Sequence, residues 1–492
     1  MKKQTKVLLA AAALTLGASF TAMAAEATYD WKMEDGQWVC YDEDGDTYDN
    51  EWVKSAGKDY YVGDDGVMVT NEWIEGFYLD STGAKTMNAW KFILADGEDA
   101  DDDEAEENWY YFGSKGAITK GKKVIGGETY YFTNEGEMIT GWVDVDANKA
   151  ATTDSASVVY TDENGARTSN MWLKSVAPGV DEEEEDEPDY FWYYIGSNGA
   201  PKTGRQLDIN GETYFFNEAG QMLSGWVTTT TVGEKTVYTN ANAALSTYGD
   251  VYFCGDEDQG WAKKSTWINE YRNTVGTADV DVDDMYWFWV DSKGKVLKAA
   301  TNTAPNAAEK EFDSVNNNGE VVYADRNNNT THGKTKEING KDYIFNQNGE
   351  MLSGLVYFYG NTFYYGDAED GSMKIGEIVL EDVAEEEEHN FFFAKTKKYG
   401  YGTEGAAVTG NAAGKLYNNG MLVTFSTGND YREHKVGGYE YVVDKNGNIK
   451  TSTKEYKKLN DDDKKVTYLN TSDYKFYKED GVKEGHIVSK TK

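Results

Sequence analysis

The feature that most constrains the fold is an internal repeat of about 20 residues, rich in aromatic residues and glycine. Its clearest copies are GETYYFTNEGEMITGW (127–142), GETYFFNEAGQMLSGW (211–226) and GKDYIFNQNGEMLSGL (340–355). Each copy reads as an aromatic strand, an Asn/Glu/Gly turn and a short apolar strand, which predicts a β-hairpin. A lone hairpin of this size is marginal in water, so its aromatic side chains need cover from neighbouring hairpins. The sequence therefore predicts an all-β solenoid of stacked β-hairpin repeats.

A longer period overlies the short one. Three pairs of tryptophans share nearly the same offset, which is 82 for Trp90 and Trp172, 83 for Trp109 and Trp192, and 84 for Trp142 and Trp226. This register indicates that a block of about four hairpins was duplicated. Within each aromatic strand, alternate side chains face opposite sides, so the two strand faces have different neighbours.

Composition excludes several classes of protein. The 492 residues include 86 Asp and Glu against 48 Lys and Arg, for a formal net charge of −38. Such acidity argues against nucleic acid or an anionic lipid surface as the main partner. An aromatic content of 14% argues against disorder. We expect no disulfide between Cys40 and Cys254, because they lie many repeats apart.

The N-terminal residues 1–24 are typical of a secretory signal peptide. Three lysines precede an apolar stretch, and Ala22-Met23-Ala24 supplies the small residues that signal peptidase accepts. No later segment is long and apolar enough to span a membrane, so we expect an exported mature chain. We divide that chain into acidic, aromatic repeats at 25–430 and degenerate repeats at 431–492. The second region has 14 Lys and Arg against 11 Asp and Glu.

The pattern G-x-x-Y-Y-F-x-x-x-G-x-M-x-T-G-W at 127–142 and 211–226 resembles the cell-wall-binding repeats of Gram-positive surface proteins. That family includes choline-binding, glucan-binding and clostridial-toxin receptor-binding repeats. The resemblance implies a hairpin solenoid that binds wall polymers or glycans without covalent attachment. Choline-type repeats enclose a quaternary ammonium between aromatic rings of consecutive hairpins, by cation–π attraction.

Several aromatic residues match the positions that bind ligand in this family. The ligand-binding residues that the resemblance implies are Trp109, Tyr111, Tyr131, Trp142, Trp192, Tyr194 and Trp226. The chain also departs from the choline pattern, because Thr129, Thr213 or Asp342 replaces the opening tryptophan in the best-preserved copies. The sequence therefore favours a wall polymer (teichoic acid or peptidoglycan glycan) or a glucan over choline in particular. The alternative for any one ring is a purely structural role in the core.

Four acidic runs each precede an aromatic strand, and they predict acidic loops inserted between the two strands of a hairpin. The runs lie at 96–108, 181–189, 279–284 and 381–390. A solvated loop is one interpretation, because clustered carboxylates repel one another. Ca²⁺ binding is a second, although no run has EF-hand spacing. Attraction of cationic wall groups is a third. No other cofactor is expected.

The sequence gives no sign of an enzyme. The repeats leave no window of sequence for a catalytic domain, and His-Glu-x-x-His, Gly-x-Ser-x-Gly and phosphate-loop motifs are absent. The prediction is a secreted, cell-wall-associated, non-catalytic binding protein whose many weak sites act together. The alternative is a structural surface protein or adhesin, whose repeats form a spacer and bind a protein partner.

Overall fold

The computed structural model confirms the all-β prediction. It describes residues 29–98, 105–153, 157–180, 188–271, 285–299, 333–358, 361–382, 387–395, 403–426, 431–451, 455–459, 466–470, 474–477 and 486–490. The predicted signal peptide and most of the acidic runs lie outside these residues. The described chain divides between Leu223 and Ser224 into two compact units. The predicted boundaries at 24 and 430 stay predictions.

The first unit consists of 17 described strands. They are β1 Asp30–Glu34, β2 Gln37–Tyr41, β3 Glu51–Ser55, β4 Lys58–Val62, β5 Glu72–Ile74, β6 Phe77–Leu79, β7 Ala89–Ile93, β8 Asn108–Phe112, β9 Gly121–Ile125, β10 Glu128–Phe132, β11 Gly141–Asp144, β12 Lys149–Ala150, β13 Val158–Thr161, β14 Met171–Ser175, β15 Phe191–Ile195, β16 Gly204–Ile209 and β17 Glu212–Phe216. Each strand pairs antiparallel with the strand before or after it in the chain, except β13, which pairs with β11. β11 therefore lies between β12 and β13 in a three-stranded sheet.

The second unit continues with 20 described strands and one 3-10 turn, at Leu245–Thr247. The strands are β18 Gly225–Val232, β19 Lys235–Asn240, β20 Val251–Cys254, β21 Thr266–Tyr271, β22 Met285–Val290, β23 Lys334–Ile338, β24 Lys341–Phe345, β25 Leu355–Phe358, β26 Asn361–Tyr364, β27 Gly376–Asp382, β28 Glu387–Phe393, β29 Gly410–Ala412, β30 Lys415–Asn418, β31 Met421–Leu422, β32 Tyr431–Val436, β33 Tyr439–Asp444, β34 Glu455–Leu459, β35 Val466–Asn470, β36 Tyr474–Tyr477 and β37 His486–Lys490. Among all these described elements, none is a helix with the length and apolarity of a membrane span.

The paired strands differ in one respect from the sequence prediction. The Asn/Glu/Gly turn at 133–136 does not connect the two strands of a hairpin, because it follows β10 and leads to a single bridge between Phe132 and Met138. The hairpin itself pairs β9 with β10 through Gly126 and Gly127, which have φ of 62° and 98°. Two consecutive positive φ values are what a two-residue hairpin turn of the favoured hand requires. The aromatic strand is therefore the second strand of its hairpin.

Consecutive hairpins are joined by backbone hydrogen bonds. After several of the Asn/Asp/Gly turns, one residue forms a backbone hydrogen bond with the preceding hairpin. The backbone N–H of Met68 donates to the carbonyl of Trp38 at 2.8 Å, and that of Met138 to Trp109 at 2.8 Å. This pattern recurs in both units, so within each unit the hairpins stack in chain order as predicted.

The core lies between successive hairpins and is largely aromatic. In β8, Tyr110 and Phe112 are buried, whereas Trp109 and Tyr111 on the opposite face are partly exposed. This is the alternation expected of a strand covered differently on its two sides. Cys40 and Cys254 are buried free thiols, and burial, with a smaller effect of Asp30, raises the pKa of Cys40 to about 11.

Candidate functional site: three aromatic clusters

Four described hairpins carry a tryptophan on each strand, and in three of them (β7–β8, β14–β15 and β21–β22) the tryptophans form the centre of an aromatic cluster. In the first, Trp90 of β7 pairs with Tyr111 of β8, and Trp109 lies two residues before Tyr111. Tyr130 and Phe132, from β10 of the next hairpin, complete the group. We call these five residues the Trp90 cluster.

Three rings of the Trp90 cluster are steeply inclined to Trp90, whereas Phe132 is stacked on it at an interplanar angle of 29°. The Trp90 ring centroid is 6.4 Å from that of Trp109, at an interplanar angle of 81°. It lies 5.1 Å from Tyr111, 5.0 Å from Tyr130 and 5.7 Å from Phe132. All but Phe132 are partly exposed. Perpendicular tryptophans with a tyrosine beside them present π-faces that attract cations and apolar C–H groups.

The same arrangement occurs twice more. The Trp172 cluster consists of Trp172, Trp192, Tyr194, Tyr214 and Phe216, with centroid distances from Trp172 of 6.3, 5.3, 4.8 and 5.9 Å. The Trp267 cluster consists of Trp267, Trp287, Trp289, Tyr343 and Phe345, with 6.4, 5.3, 4.9 and 5.8 Å from Trp267. Equivalent distances in the three clusters therefore agree to within 0.2 Å.

A methionine adjoins each cluster at an equivalent position. Its backbone N–H donates to the carbonyl of the second-strand tryptophan: Met138 to Trp109 at 2.8 Å, Met222 to Trp192 at 2.8 Å and Met351 to Trp287 at 2.7 Å. The thioether is polarizable and adapts its shape, which suits it to the border of an aromatic site.

The three clusters differ in the residue paired across the hairpin with the second-strand tryptophan. Phe92 pairs with Trp109, Lys174 with Trp192 and Asn269 with Trp287. Phe92 is 48% exposed and its ring centroid is 5.3 Å from that of Trp109. The Lys174 ammonium is 5.6 Å from the Trp192 ring centroid. Apolar, cationic and amide neighbours therefore border otherwise matched ring groups.

Three of the sequence-predicted residues lie elsewhere, in the core. Trp142 and Trp226 are each 8% exposed and Tyr131 is 3% exposed. The indole N–H of Trp142 donates to the carbonyl of Val176 at 2.9 Å, and that of Trp226 to the carbonyl of Tyr271 at 3.3 Å. These tryptophans pack between hairpins and their polar atoms are satisfied by backbone, which is the arrangement of a core residue.

The structure thus brings four of the seven sequence-predicted residues into clusters: Trp109 and Tyr111 in one, and Trp192 and Tyr194 in another. The sequence analysis missed Trp90, Trp172 and the whole Trp267 cluster. The offset of 82 between Trp90 and Trp172 was a usable signal, because it differs by only one residue from the offset of 83 between the predicted pair Trp109 and Trp192.

The hydroxyls of two cluster tyrosines, Tyr130 and Tyr214, have a raised pKa and are neutral at physiological pH. Burial, followed by Asp162 and Glu128, raises the pKa of Tyr130 above its ordinary value. Burial and then Glu212 raise the pKa of Tyr214. A neutral phenol keeps an electron-rich ring and a hydrogen-bonding hydroxyl, so the partly exposed Tyr130 can contact a sugar or a cation, whereas Tyr214 is buried at 8% exposure.

Within the described residues there is no group of three or more His, Cys, Asp or Glu side chains placed to hold a metal ion. Most of the acidic runs lie outside those residues, so Ca²⁺ binding by the acidic loops stays a prediction. The prediction that these runs connect the two strands of a hairpin is confirmed for the first three. They lie between the paired strands β7 and β8, β14 and β15, and β21 and β22.

Comparison with known families confirms the class of repeat. Residues 46–85 match the choline-binding repeat, and residues 105–118 match the putative cell wall binding repeat. The chain therefore carries repeats of the cell-wall-binding type found in Gram-positive surface proteins.

Individual relatives are streptococcal. Glucosyltransferase-S of Streptococcus mutans is 29% identical over 174 residues, or 34% of this chain and 10% of that protein. A putative endo-beta-N-acetylglucosaminidase of Streptococcus pneumoniae is 28% identical over 120 residues, or 24% and 17%. The chain thus spans less than a fifth of the length of these relatives. The crystal structure of choline binding protein F from Streptococcus pneumoniae is 17% identical and covers 81% of this chain and 100% of that one, with a TM-score of 0.32.

Proposed function

We propose that this is an exported, non-catalytic protein that binds a bacterial wall polymer or a glucan through the Trp90, Trp172 and Trp267 clusters. The observation that carries the proposal is the threefold recurrence of one five-ring geometry. A core needs only that rings fill space, and hydrophobic repacking tolerates many arrangements. Three copies that keep two perpendicular tryptophans partly exposed are better explained by a shared ligand.

The chemistry of the clusters suits a glycan or a cationic substituent. Tryptophan and tyrosine faces stack on the apolar face of a sugar ring, and they attract an ammonium by about 0.5–2 kcal/mol per contact. One such site is weak, but three on one chain bind a polymer with an avidity well above the single affinity. The relatives are enzymes named for glucosyl transfer and for N-acetylglucosaminide cleavage, which supports a glycan as ligand class.

Co-sedimentation of the chain with purified Gram-positive walls tests the proposal. Three parallel samples identify the ligand class. The first uses walls stripped of teichoic acid, the second uses insoluble glucan in place of walls, and the third uses intact walls with excess choline. The variant combines Trp109→Ala, Trp192→Ala and Trp287→Ala. The matched control is Trp261→Ala, because Trp261 is also partly exposed but lies outside the clusters.

We expect the wild type and the control to sediment, and the triple variant to stay in solution while keeping a native circular dichroism spectrum. Wall attachment that is retained by the folded triple variant would contradict the proposal and favour the spacer or adhesin alternative. The remaining sequence-predicted residues, Tyr131, Trp142 and Trp226, are all buried, and the triple variant leaves them unchanged.

A further inference from the structure

A fourth ring group, within the segment that matches the choline-binding repeat, has a cation of the chain itself against its faces. Trp52 of β3 lies 5.4 Å from Tyr61 and 5.7 Å from Phe77, measured between ring centroids. The ammonium of Lys85 is 5.3 Å from the Trp52 ring centroid and 4.9 Å from that of Phe77. Both distances are within the range of a cation–π interaction.

The backbone register shows that this group is equivalent to the Trp90 cluster. Trp52 pairs with Tyr61 as Trp90 pairs with Tyr111. The residue two positions before the paired tyrosine is Asp59 here and Trp109 in the Trp90 cluster. The backbone N–H of Lys85 donates to the Asp59 carbonyl at 2.8 Å, as Met138 does to Trp109.

Two residues therefore differ together from those of the Trp90, Trp172 and Trp267 clusters, which we call the open clusters because no lysine of the chain takes the place of their methionine. Where those clusters carry Trp and Met, this one carries Asp59 and Lys85, whose side chains form an ion pair at 2.7 Å. The Lys85 side chain is only 15% exposed and that of Asp59 is 33% exposed. The aspartate removes one ring and supplies a counter-ion, and the lysine supplies the cation.

The stem of Lys85 is also confined. A β-carbon on Gly116 in the next turn would lie only 3.0 Å from Cγ and Cδ of Lys85, so the aliphatic chain passes directly against that glycine. The indole N–H of Trp52 donates to Glu75 at 3.0 Å, which fixes the ring that the ammonium faces. Ring, lysine stem and counter-ion are thus all held in place.

We propose that the Trp52–Tyr61–Phe77 group is a cation site closed by Lys85, and that this residue decides that no external cation binds there. The ligand class that the site would otherwise take is a small quaternary ammonium. The segment at 46–85 is then a structural repeat, whose Trp52–Tyr61–Phe77 group binds no external cation. This inference does not require that the open clusters bind wall polymer.

The test uses the full chain with ¹⁵N-labelled tryptophan, and follows indole N–H signals by NMR during titration with tetramethylammonium chloride. Sodium chloride at equal ionic strength controls for salt. The Trp52 signal is assigned by its loss in Trp52→Phe. The variants are Lys85→Met, which restores the residue type of the open clusters, and Lys85→Arg, which keeps a cation. Lys58→Ala, at an exposed position of β4, is the matched control.

The wild type, Lys85→Arg and Lys58→Ala should leave the Trp52 signal in place, whereas Lys85→Met should shift it saturably. A site that is open less than a tenth of the time binds at least about tenfold more weakly than the open form, so at least a tenfold difference in midpoint is expected. The other indole signals report whether each variant is folded.

Because Lys85→Met leaves Asp59 without its counter-ion, the double variant Asp59→Trp with Lys85→Met provides a second route to an open site. A saturable shift of Trp52 in the wild type, with the midpoint of Lys85→Met, would overturn the proposal. So would a static Trp52 signal in both folded open-site variants. Neither result depends on wall co-sedimentation, so this inference and the proposed function can fail separately.

Discussion

Substitutions at Trp142 and Trp109 should separate a structural tryptophan from a binding one. Trp142 is 8% exposed, its ring centroid lies 5.0 Å from that of Tyr160 and 4.8 Å from that of Tyr193, and its indole N–H is satisfied by Val176. Truncating a tryptophan in such a site to alanine costs about 3–5 kcal/mol. Trp142→Phe keeps a ring and removes mainly the hydrogen bond, for about 1 kcal/mol.

Trp109→Ala should cost less stability than Trp142→Ala. It is partly exposed and contacts Trp90 and Phe92 through its ring. Two aromatic contacts of about 0.5–1.5 kcal/mol each set the expected cost of Trp109→Ala at about 1–3 kcal/mol. The main effect of Trp109→Ala should be weaker ligand retention, because the substitution removes one of the two perpendicular rings of a cluster.

Urea unfolding followed by circular dichroism, combined with wall co-sedimentation, measures both effects. Repeat arrays need not unfold in one step, so hydrogen exchange across β11–β15 locates the destabilised hairpins. We expect Trp142→Ala to lower protection there and Trp142→Phe to retain wall binding. We expect Trp109→Ala to weaken binding with near-native protection. If Trp142→Phe lost binding at an unchanged urea midpoint, Trp142 would be a ligand contact and the separation drawn here would be wrong.

Two further predictions concern stability. Gly179→Ala should destabilise the fold more than Gly211→Ala. Both glycines have positive φ, of +84° and +87°, but a β-carbon on Gly179 would lie 2.2 Å from the backbone oxygen of Thr152, whereas Gly211 has open space. Urea midpoints measure the difference, and equal midpoints would contradict it. Asp444→Asn should lower the urea midpoint at pH 7. Burial opposes ionisation of Asp444, but its bonds to Lys450 and neighbouring amides outweigh that effect and lower its pKa below 3.8. The stabilisation is therefore complete above pH 3.8 and lost as the pH falls through the folded-state pKa. The gap between wild type and variant should close in acid, and a gap independent of pH would refute this.

Much of the fold could be predicted because a hairpin stack is specified locally. Alternation within β8 places Tyr110 and Phe112 on one face and Trp109 and Tyr111 on the other, and the structure confirms that split. The hairpin partner of the aromatic strand was less accessible. The Asn/Glu/Gly turn and the two-residue Gly126-Gly127 turn are both good turn signals, and only the observed φ values and pairing show which one closes the hairpin.

Whether a first-strand tryptophan is buried or partly exposed could not be predicted, because it depends on the following hairpin. Trp90 and Trp142 occupy the same position in their strands and pair with tyrosine in the same way. After Trp142 comes a hairpin with an acidic insertion, whose first strand ends at Ser175, and the carbonyl of the next residue, Val176, accepts the indole N–H of Trp142. After Trp90 comes a hairpin closed by a two-residue turn at Gly126-Gly127.

Hairpins with acidic insertions therefore combine two roles in three places along the chain. Each supplies the carbonyl that satisfies the preceding tryptophan: Leu94 for Trp73, Val176 for Trp142 and Tyr271 for Trp226. Each also carries a second tryptophan just after its insertion, at Trp109, Trp192 or Trp287, and so builds an open cluster with the short hairpin that follows. The end of the first strand supplies a carbonyl to one neighbour, and the hairpin that follows is closed by a two-residue turn, at Gly126-Gly127, Asn210-Gly211 or Asn339-Gly340. Because the coupling lies in the order of long and short hairpins, no single 20-residue repeat contains it.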